Sequence, residues 1–278
     1  MENKNLKYID KLINIALKED LKREDITCKL FIPKDLKVKA LIYSKDEGVI
    51  CGLEIAKMVF KKLDRKISFK KFVKDGDEIK KGQKIALVEG NARKILAGER
   101  TALNFLQHLS GVATLTKKYS KIAKKFKVKI FDTRKTIPGL RILQKYAVRV
   151  GGGKNHRFSL SDQILIKTNH IRAVGIEEIV KRMKNTKKKI EIEVSNLKEL
   201  KQVLKAKPEI VMLDNFKIPE IKKAIKLIKN KCEIEVSGKV NLKNFKNIAK
   251  LKINRISIGQ ITHSAKALDL ALRIISKA

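Results

Sequence analysis

The sequence predicts an α/β chain in which an α/β sandwich is followed by parallel (β/α) units, and three observations predict it. Short β-rich runs alternate with helix-like segments from about residue 128 onward. Residues up to about 110 lack that alternation and mix helical stretches with isolated strand-like ones. Hydrophobic residues make up 43% of the chain but aromatics only 5%, and Trp is absent, so the core is built from Ile, Leu, Val and Ala. At 278 residues there is length for one large domain or two unequal ones.

The elements follow in order. K-Y-I-D-K-L-I-N-I-A-L-K-E-D (7–20) and L-E-I-A-K-M-V-F-K-K-L (53–63) carry apolar residues at helical spacing, and K-V-K-A-L-I-Y-S (37–44) reads as a strand between them. V-K-D-G-D-E-I-K-K-G-Q-K-I-A-L-V-E-G (73–90) supplies Asp-Gly and Lys-Gly turns of a small sheet. That stretch also resembles the turn pattern of biotinyl and lipoyl carrier domains, without an identifiable carrier lysine at a hairpin tip. E-R-T-A-L-N-F-L-Q-H-L (99–109) is helix-like and joins the two parts.

Then come V-K-I-F-D (128–132), Q-I-L-I-K (163–167), I-E-I-E-V (190–194), E-I-V-M-L-D (209–214), C-E-I-E-V-S (232–237) and I-N-R-I-S-I-G (253–259). Helical stretches separate them, one of which has Pro219 near its start. Strands alternating with helices imply parallel βαβ units, which suit a (β/α) barrel somewhat smaller than the usual one. A doubly wound open sheet is the competitor, because periodicity does not report closure. The expected division is a sandwich over 1–110, joined by a C-terminal helix over 265–278, and a barrel over 111–264.

Lys and Arg number 66 against 29 Asp and Glu, a formal net charge of +37. Such a field attracts polyanions. Yet the lysines are spread along almost every segment, as in K-K-L-D-R-K and K-N-T-K-K-K, without the stacking aromatics of a nucleic-acid module. Nucleic acid binding is therefore expected to be incidental. Cys28, Cys51 and Cys232 form no C-x-x-C pair, which argues against a zinc ribbon or a disulfide framework. No apolar run approaches a membrane span and the N-terminus has no apolar leader core, so no membrane partner and a cytoplasmic location are expected.

Residues at the ends of barrel strands are gathered at one mouth. V-K-I-F is followed by Asp132, Thr133, Arg134 and Lys135; Q-I-L-I by Lys167, Thr168, Asn169 and His170; E-I-V-M-L by Asp214 and Asn215. Glu191 and Glu193 share a face by strand alternation, and the last two runs end in Ser237-Gly238 and Gly259. Arg134, Lys135, His156, Arg157 and Lys167 would make a pocket for a small, multiply anionic molecule. Glu193 and Asp214 offer oxygen ligands for Mg²⁺, and Ser237, Gly238 and Gly259 offer backbone N–H groups to a phosphate. Taken singly, each basic residue could be surface charge, Glu193 could pair with a lysine, His170 could hold its own loop, and Gly151-Gly152-Gly153 could be a turn. G-G-G-K does not have the spacing of a P-loop.

Motifs in order along the chain resemble the nicotinate-nucleotide pyrophosphorylase, or quinolinate phosphoribosyltransferase, family. They are E-R-T-A-L-N-F-L-Q-H-L-S-G-V-A-T (99–114), T-R-K-T-I-P-G-L-R (133–141), K-Y-A-V-R-V-G-G-G-K-N-H-R (145–157), L-I-K-T-N-H-I (165–171), E-I-E-V (191–194), L-D-N-F (213–216), V-S-G-K (236–239) and I-G-Q-I-T-H-S (258–264). The resemblance implies an α/β sandwich plus an incomplete (β/α) barrel. It implies formation of nicotinate mononucleotide, pyrophosphate and CO₂ from quinolinate and phosphoribosyl pyrophosphate, for NAD synthesis. It also implies Mg²⁺, and a homodimer or larger assembly of dimers with shared active sites.

By motif position, Arg134, His156, Arg157 and Lys167 match the quinolinate-binding residues, and Arg100 the arginine that reaches in from the neighbouring subunit. Lys135 lies between the two substrates. Glu193 and Asp214 match the carboxylates on the ribose and Mg²⁺ side, and Ser237, Gly238, Lys239, Gly259 and His263 fall in the phosphate cradle. Lys135, Lys167, Glu193 and Asp214 are the expected catalytic set. Two positions depart from the pattern: Thr168 stands where an acidic residue is common, and Lys239 stands at the third position of S-G-G. The family's molybdenum-transport-associated relatives, which would use another anionic acceptor, are the nearest alternative.

Overall fold

The computed structural model describes residues 3–186 and 188–278. In chain order, α1 (Asn3–Leu21), α2 (Ile26–Phe31), β1 (Lys37–Ser44), β2 (Gly48–Val49), α3 (Leu53–Leu63), β3 (Ser68–Lys71), β4 (Glu78–Ile79), β5 (Lys84–Asn91) and the long α4 (Ala92–Lys125) come first. They are followed by β6 (Lys129–Phe131), α5 (Arg141–Val150), β7 (Ile164–Ile166), α6 (Thr168–Val174), α7 (Ile176–Lys184), β8 (Ile190–Val194) and α8 (Leu197–Val203). The chain ends with β9 (Ile210–Asp214), α9 (Ile218–Ile228), β10 (Glu233–Ser237), α10 (Leu242–Ala249), β11 (Arg255–Ser257), α11 (Gln260–His263) and β12 (Leu270–Lys277).

Two compact units emerge. One takes residues up to Leu115 with Pro138–Gly151 and Ala265–Ala278; the other takes Thr116–Ile137 and Gly152–Ser264. The division falls inside α4.

In the first unit a four-stranded antiparallel sheet runs β12-β1-β5-β3, with β2 and β4 as a separate pair. Leu53, Ile55, Ala56, Val59 and Phe60 on one face of α3 are buried. The glycine-rich stretch after residue 73 does make turns: Gly76 and Gly82 have φ of +100° and +80°, a region open to glycine at little cost. Asp75 closes the start of α3 by accepting from the Gly52 and Leu53 amides at 2.9 and 3.1 Å.

The last segment corrects an expectation. A-L-D-L-A-L-R-I-I-S-K-A is not a helix; its residues 270–277 form β12, antiparallel to β1, with Leu270 opposite Ser44 and Leu272 opposite Ile42. Leu and Ala favour helix by only a few tenths of a kcal/mol per residue. The open edge of β1 presents a row of amides and carbonyls that need partners, and that demand wins. Gly111 of α4 marks a close approach in the same unit, since a Cβ there would collide with the Lys266 carbonyl.

The second unit holds a six-stranded parallel sheet in the order β6-β11-β10-β9-β8-β7. The first strand neighbours the last, and strand order never reverses, as it must in a doubly wound sheet. This is a (β/α) barrel cut once, between β6 and β7, with Phe131 and Lys154 forming a parallel bridge on the free side of β6. Alternation sorts the strand residues: Ile192, Val194, Val211, Leu213 and Val236 are fully or almost fully buried, while Glu191, Glu193, Glu235 and Ser257 alternate with such residues along their strands. The barrel interior is thus unusually polar, and Glu191 and Glu235 are completely buried.

Candidate active site

Parallel strands all end at the same mouth, and there a cavity of about 1370 Å³ opens, lined only by residues of the second unit. Arg134, Lys135, His156, Arg157, Lys167, Glu193, Asp214, Ser237, Gly238, Lys239, Gly259 and His263 all line it. Arg100 does not; it is exposed on α4, in a stretch assigned to the other unit. Thr168, Arg172, Asn215, Asn241 and Gln260 also line the cavity without having been assigned a role from sequence.

The basic wall is unsatisfied. Arg134 Nε and Arg157 Nε are buried without a hydrogen-bond partner among the described residues. Arg157 gives one bond from Nη1 to the Gln163 carbonyl at 3.1 Å. Burial, and then the nearby Arg134 charge, pull the Arg157 guanidinium below its usual range. Two cations held close together, with donors left over, form a site for an anion.

The acidic wall is different. Lys167 Nζ is in a very short ion pair with Glu193 Oε2, and Thr168 donates to Glu193 Oε1 from its hydroxyl at 2.8 Å and its amide at 3.2 Å. Burial alone would raise the Glu193 pKa, but these partners outweigh it and hold the carboxyl below its usual range. Asp214 goes the other way: burial first, and the Glu193 charge second, push it up. Asn215 Nδ2 donates to Asp214 Oδ2 at 2.9 Å. Thr168, which departs from the family pattern, therefore belongs to the Glu193 cluster.

At the cavity rim, position 238 requires glycine. Gly238 has φ +88°, and a Cβ there would strike the Asn215 side chain and crowd its amide nitrogen at 2.9 Å. Lys239 follows with φ +48°, its carbonyl accepting from Asn244 Nδ2 at 2.9 Å. A Cβ on Gly259 would press on Lys135 Cδ and His263 Cδ2, each at 3.1 Å. Thr262 Oγ1 donates to the Lys135 carbonyl at 2.7 Å, fixing the loop that carries Arg134 and Lys135.

His156 is anchored from below: Asp132 Oδ1 accepts from its amide at 2.8 Å, and its side chain is 6% exposed. With Glu191 and Glu235 it forms a buried group whose ligand atoms lie within 4.8 Å of one another, the one three-residue set among the described residues able to hold a metal ion. His170 turns back on its own loop, its Nδ1 accepting from the Lys167 amide at 2.8 Å, and it does not line the cavity. The glycine triplet ends α5 and leads to the bridge at Lys154, with Gly152 at φ +89°.

The quinolinate phosphoribosyl transferase N-terminal domain family matches residues 25–110, and the C-terminal domain family matches residues 112–273. The chain belongs to the quinolinate phosphoribosyltransferase family. A Methanocaldococcus jannaschii protein described as a probable nicotinate-nucleotide pyrophosphorylase (carboxylating) is 44% identical over 280 residues, covering 96% of this chain and 98% of that one. The chloroplastic nicotinate-nucleotide pyrophosphorylase (carboxylating) of Arabidopsis thaliana is 39% identical, covering 95% of this chain and 82% of its own. The solved nicotinate-nucleotide pyrophosphorylase of Francisella tularensis superposes with a TM-score of 0.91 at 42% identity, covering 97% of this chain and 96% of its own.

Proposed function

We propose that this chain transfers the phosphoribosyl group of phosphoribosyl pyrophosphate to the ring nitrogen of quinolinate, releasing pyrophosphate and CO₂ and giving nicotinate mononucleotide for NAD synthesis. The observation that carries this reading is the pair of cavity-wall arginines, Arg134 and Arg157, whose buried Nε groups have no partner among the described residues. Each unpaired buried donor costs roughly 1–3 kcal/mol, which a ligand carboxylate recovers. Two adjacent carboxylates on one ring suit two adjacent guanidiniums. Family membership at 44% and 39% identity over most of the chain supports the same reaction.

Arg134, Arg157 and Lys167 take the two carboxylates, with His156 lining the wall beside them. They exclude water and hold the pyridine nitrogen toward C1 of the ribose. Lys135 lies between the two substrates. Breaking the bond from C1 to pyrophosphate develops positive charge on the ribose, which Glu193 and Asp214 stabilise. The ring nitrogen's attack leaves a cationic pyridinium. When the adjacent carboxylate departs as CO₂, the electron pair of the broken C–C bond stays on that ring carbon, stabilised by the neighbouring positive nitrogen, and a proton from water completes the C–H bond of the product. Backbone N–H groups at Ser237, Gly238, Lys239 and Gly259, with His263, receive phosphate.

The donor set fits Mg²⁺. Glu193 and Asp214 are hard oxygen ligands, and burial together with Glu193's charge already holds Asp214 above its usual range, a strain that a cation beside it relieves. These two residues would hold the ion, which when bound neutralises the oxygens of the leaving pyrophosphate. The assembly is a homodimer or a larger set of dimers in which Arg100 of one subunit completes the site of the next; its exposure on α4 supports that reading. No described helix is long and apolar enough to cross a membrane, and the cytoplasm is the proposed location.

Incubating the protein with quinolinate, phosphoribosyl pyrophosphate and Mg²⁺, and separating products chromatographically, tests the reaction. Nicotinate mononucleotide is the expected product. No product from quinolinate, alongside turnover of another anionic acceptor, would move the chain to the molybdenum-transport-associated branch.

A further inference from the structure

Beneath the basic wall the polar side chains form a closed ring. Glu191 Oε1 and Oε2 lie 3.2 and 3.1 Å from His156 Nε2, and Oε2 also accepts from Gln163 Nε2 at 3.0 Å. His156 Nδ1 accepts from the Arg157 amide at 2.9 Å, while the Gln163 carbonyl accepts from Arg157 Nη1 at 3.1 Å. The ring therefore runs Glu191, His156, Arg157, Gln163 and back to Glu191. Glu191 grips Arg157 by two routes, one to its backbone and one to its guanidinium.

The acceptor role of Nδ1 fixes the histidine tautomer. An N–H at Nδ1 would face the Arg157 N–H, so the ring proton sits on Nε2 and points at Glu191. Both ring nitrogens are then committed within the protein. His156 shapes the pocket and orients Arg157, and the carbon edge of its ring, not a nitrogen, is what it has left for a ligand. Glu235 Oε1 also lies 3.6 Å from His156 Nε2, and Arg255 Nε lies 3.9 Å from Glu235 Oε2. Glu191 itself is 0% exposed, so its only partners are those the fold provides.

We infer that Glu191 is a positioning residue for the dicarboxylate: through His156 and Gln163 it sets the place and direction of the Arg157 guanidinium. This rests on the assignment of Arg157 to quinolinate. A buried carboxylate that accepts on both oxygens holds its donors more firmly than a neutral acceptor does. The guanidinium must be pre-set because it lines the cavity with donors still unpaired among the described residues.

Quinolinate binding by calorimetry, separately from the KM for phosphoribosyl pyrophosphate, tests this on the full-length protein. Glu191→Leu removes both acceptors at similar size and should weaken quinolinate binding about tenfold or more, with the KM for phosphoribosyl pyrophosphate unchanged. Glu191→Gln should fall between Leu and wild type. Its oxygen still accepts from His156, and the Gln163 amide can turn to accept from the new NH₂. If Glu191→Leu does not fold, Gln163→Leu, which cuts one of the two routes, decides with an expected loss of about threefold or more. Wild-type quinolinate affinity in the folded variant, or an equal loss for both substrates, overturns the inference. Failure of the wild-type protein itself to bind quinolinate would instead overturn the functional reading on which it stands.

Discussion

The two walls of the cavity are built on opposite plans. On the acidic side Glu193 is fully engaged by Lys167 and Thr168 and is held ionised by them. On the basic side Arg134 and Arg157 keep buried donors with no partner among the described residues. Glu193 is already partnered in the folded chain, whereas Asp214 and the two guanidinium Nε groups are left for what binds. A folded protein tolerates such unpaired groups where their cost is recovered in function. On the proposed assignment, selectivity lies with the basic wall and the reaction's charge development with the acidic one.

Breaking the basic wall should have the largest effect. Arg134→Ala with Arg157→Ala removes two charged hydrogen-bonding groups of roughly 1.5–3 kcal/mol each, and should lower kcat/KM for quinolinate about 10²–10⁴-fold. Retention of more than a tenth of wild-type kcat/KM would show that the dicarboxylate sits elsewhere.

On the acidic wall, Asp214→Ala should lower kcat about 10²-fold while leaving quinolinate affinity within a few-fold, measured by calorimetry. Equal losses in both would place Asp214 on the wrong side of the cavity.

Arg100 sharpens the comparison, because the basic wall is proposed to be finished by a second subunit. Arg100→Ala and Lys135→Ala homodimers should each be nearly inactive. Mixing and re-associating them should restore about a quarter of wild-type activity, since half the dimers then carry one intact site of two. No recovery after verified subunit exchange would put Arg100 in its own subunit's site.

The smallest effect is on stability, and it probes the tier below both walls. Burial, and then Glu191's charge, raise Glu235 to about 7 from 4.5. Because the folded state then binds the proton more tightly than the unfolded state, stability is greatest below the unfolded value and is lost as pH rises toward the folded one. Glu235→Gln mimics the protonated form and should raise Tm at pH 8 by about 2–4 °C, with little change at pH 5. A Tm gain of the same size at both pH values would mean that Glu235's proton plays no part.

How legible all this was in the sequence depended on which physical signal each feature leaves. The six barrel strands were readable because Ile- and Val-rich runs repeat between helical stretches, and their charged ends converge once the strands are parallel. Closure was not readable, since it depends on β6 pairing with β11, a contact between distant strands that no periodicity reports. The C-terminal strand was read as a helix because Leu and Ala alternate there without β-branched residues until Ile274, and only the exposed edge of β1 decides it. The hidden tier escaped for a related reason. The shared face of Glu191 and Glu193 predicts both at the mouth, yet Glu193 lines the cavity while Glu191, like Glu235, is fully buried beneath it. Their alternation with Glu193 and Ser237 on the same strand faces was the signal available.

The measurement that tests the central claim most directly compares quinolinate and nicotinate as acceptors under identical phosphoribosyl pyrophosphate and Mg²⁺. Nicotinate lacks the second carboxylate and leaves one set of buried guanidinium donors unpaired. Its kcat/KM should be lower by about a hundredfold or more. Comparable values for the two acceptors would contradict a basic wall built to read two carboxylates.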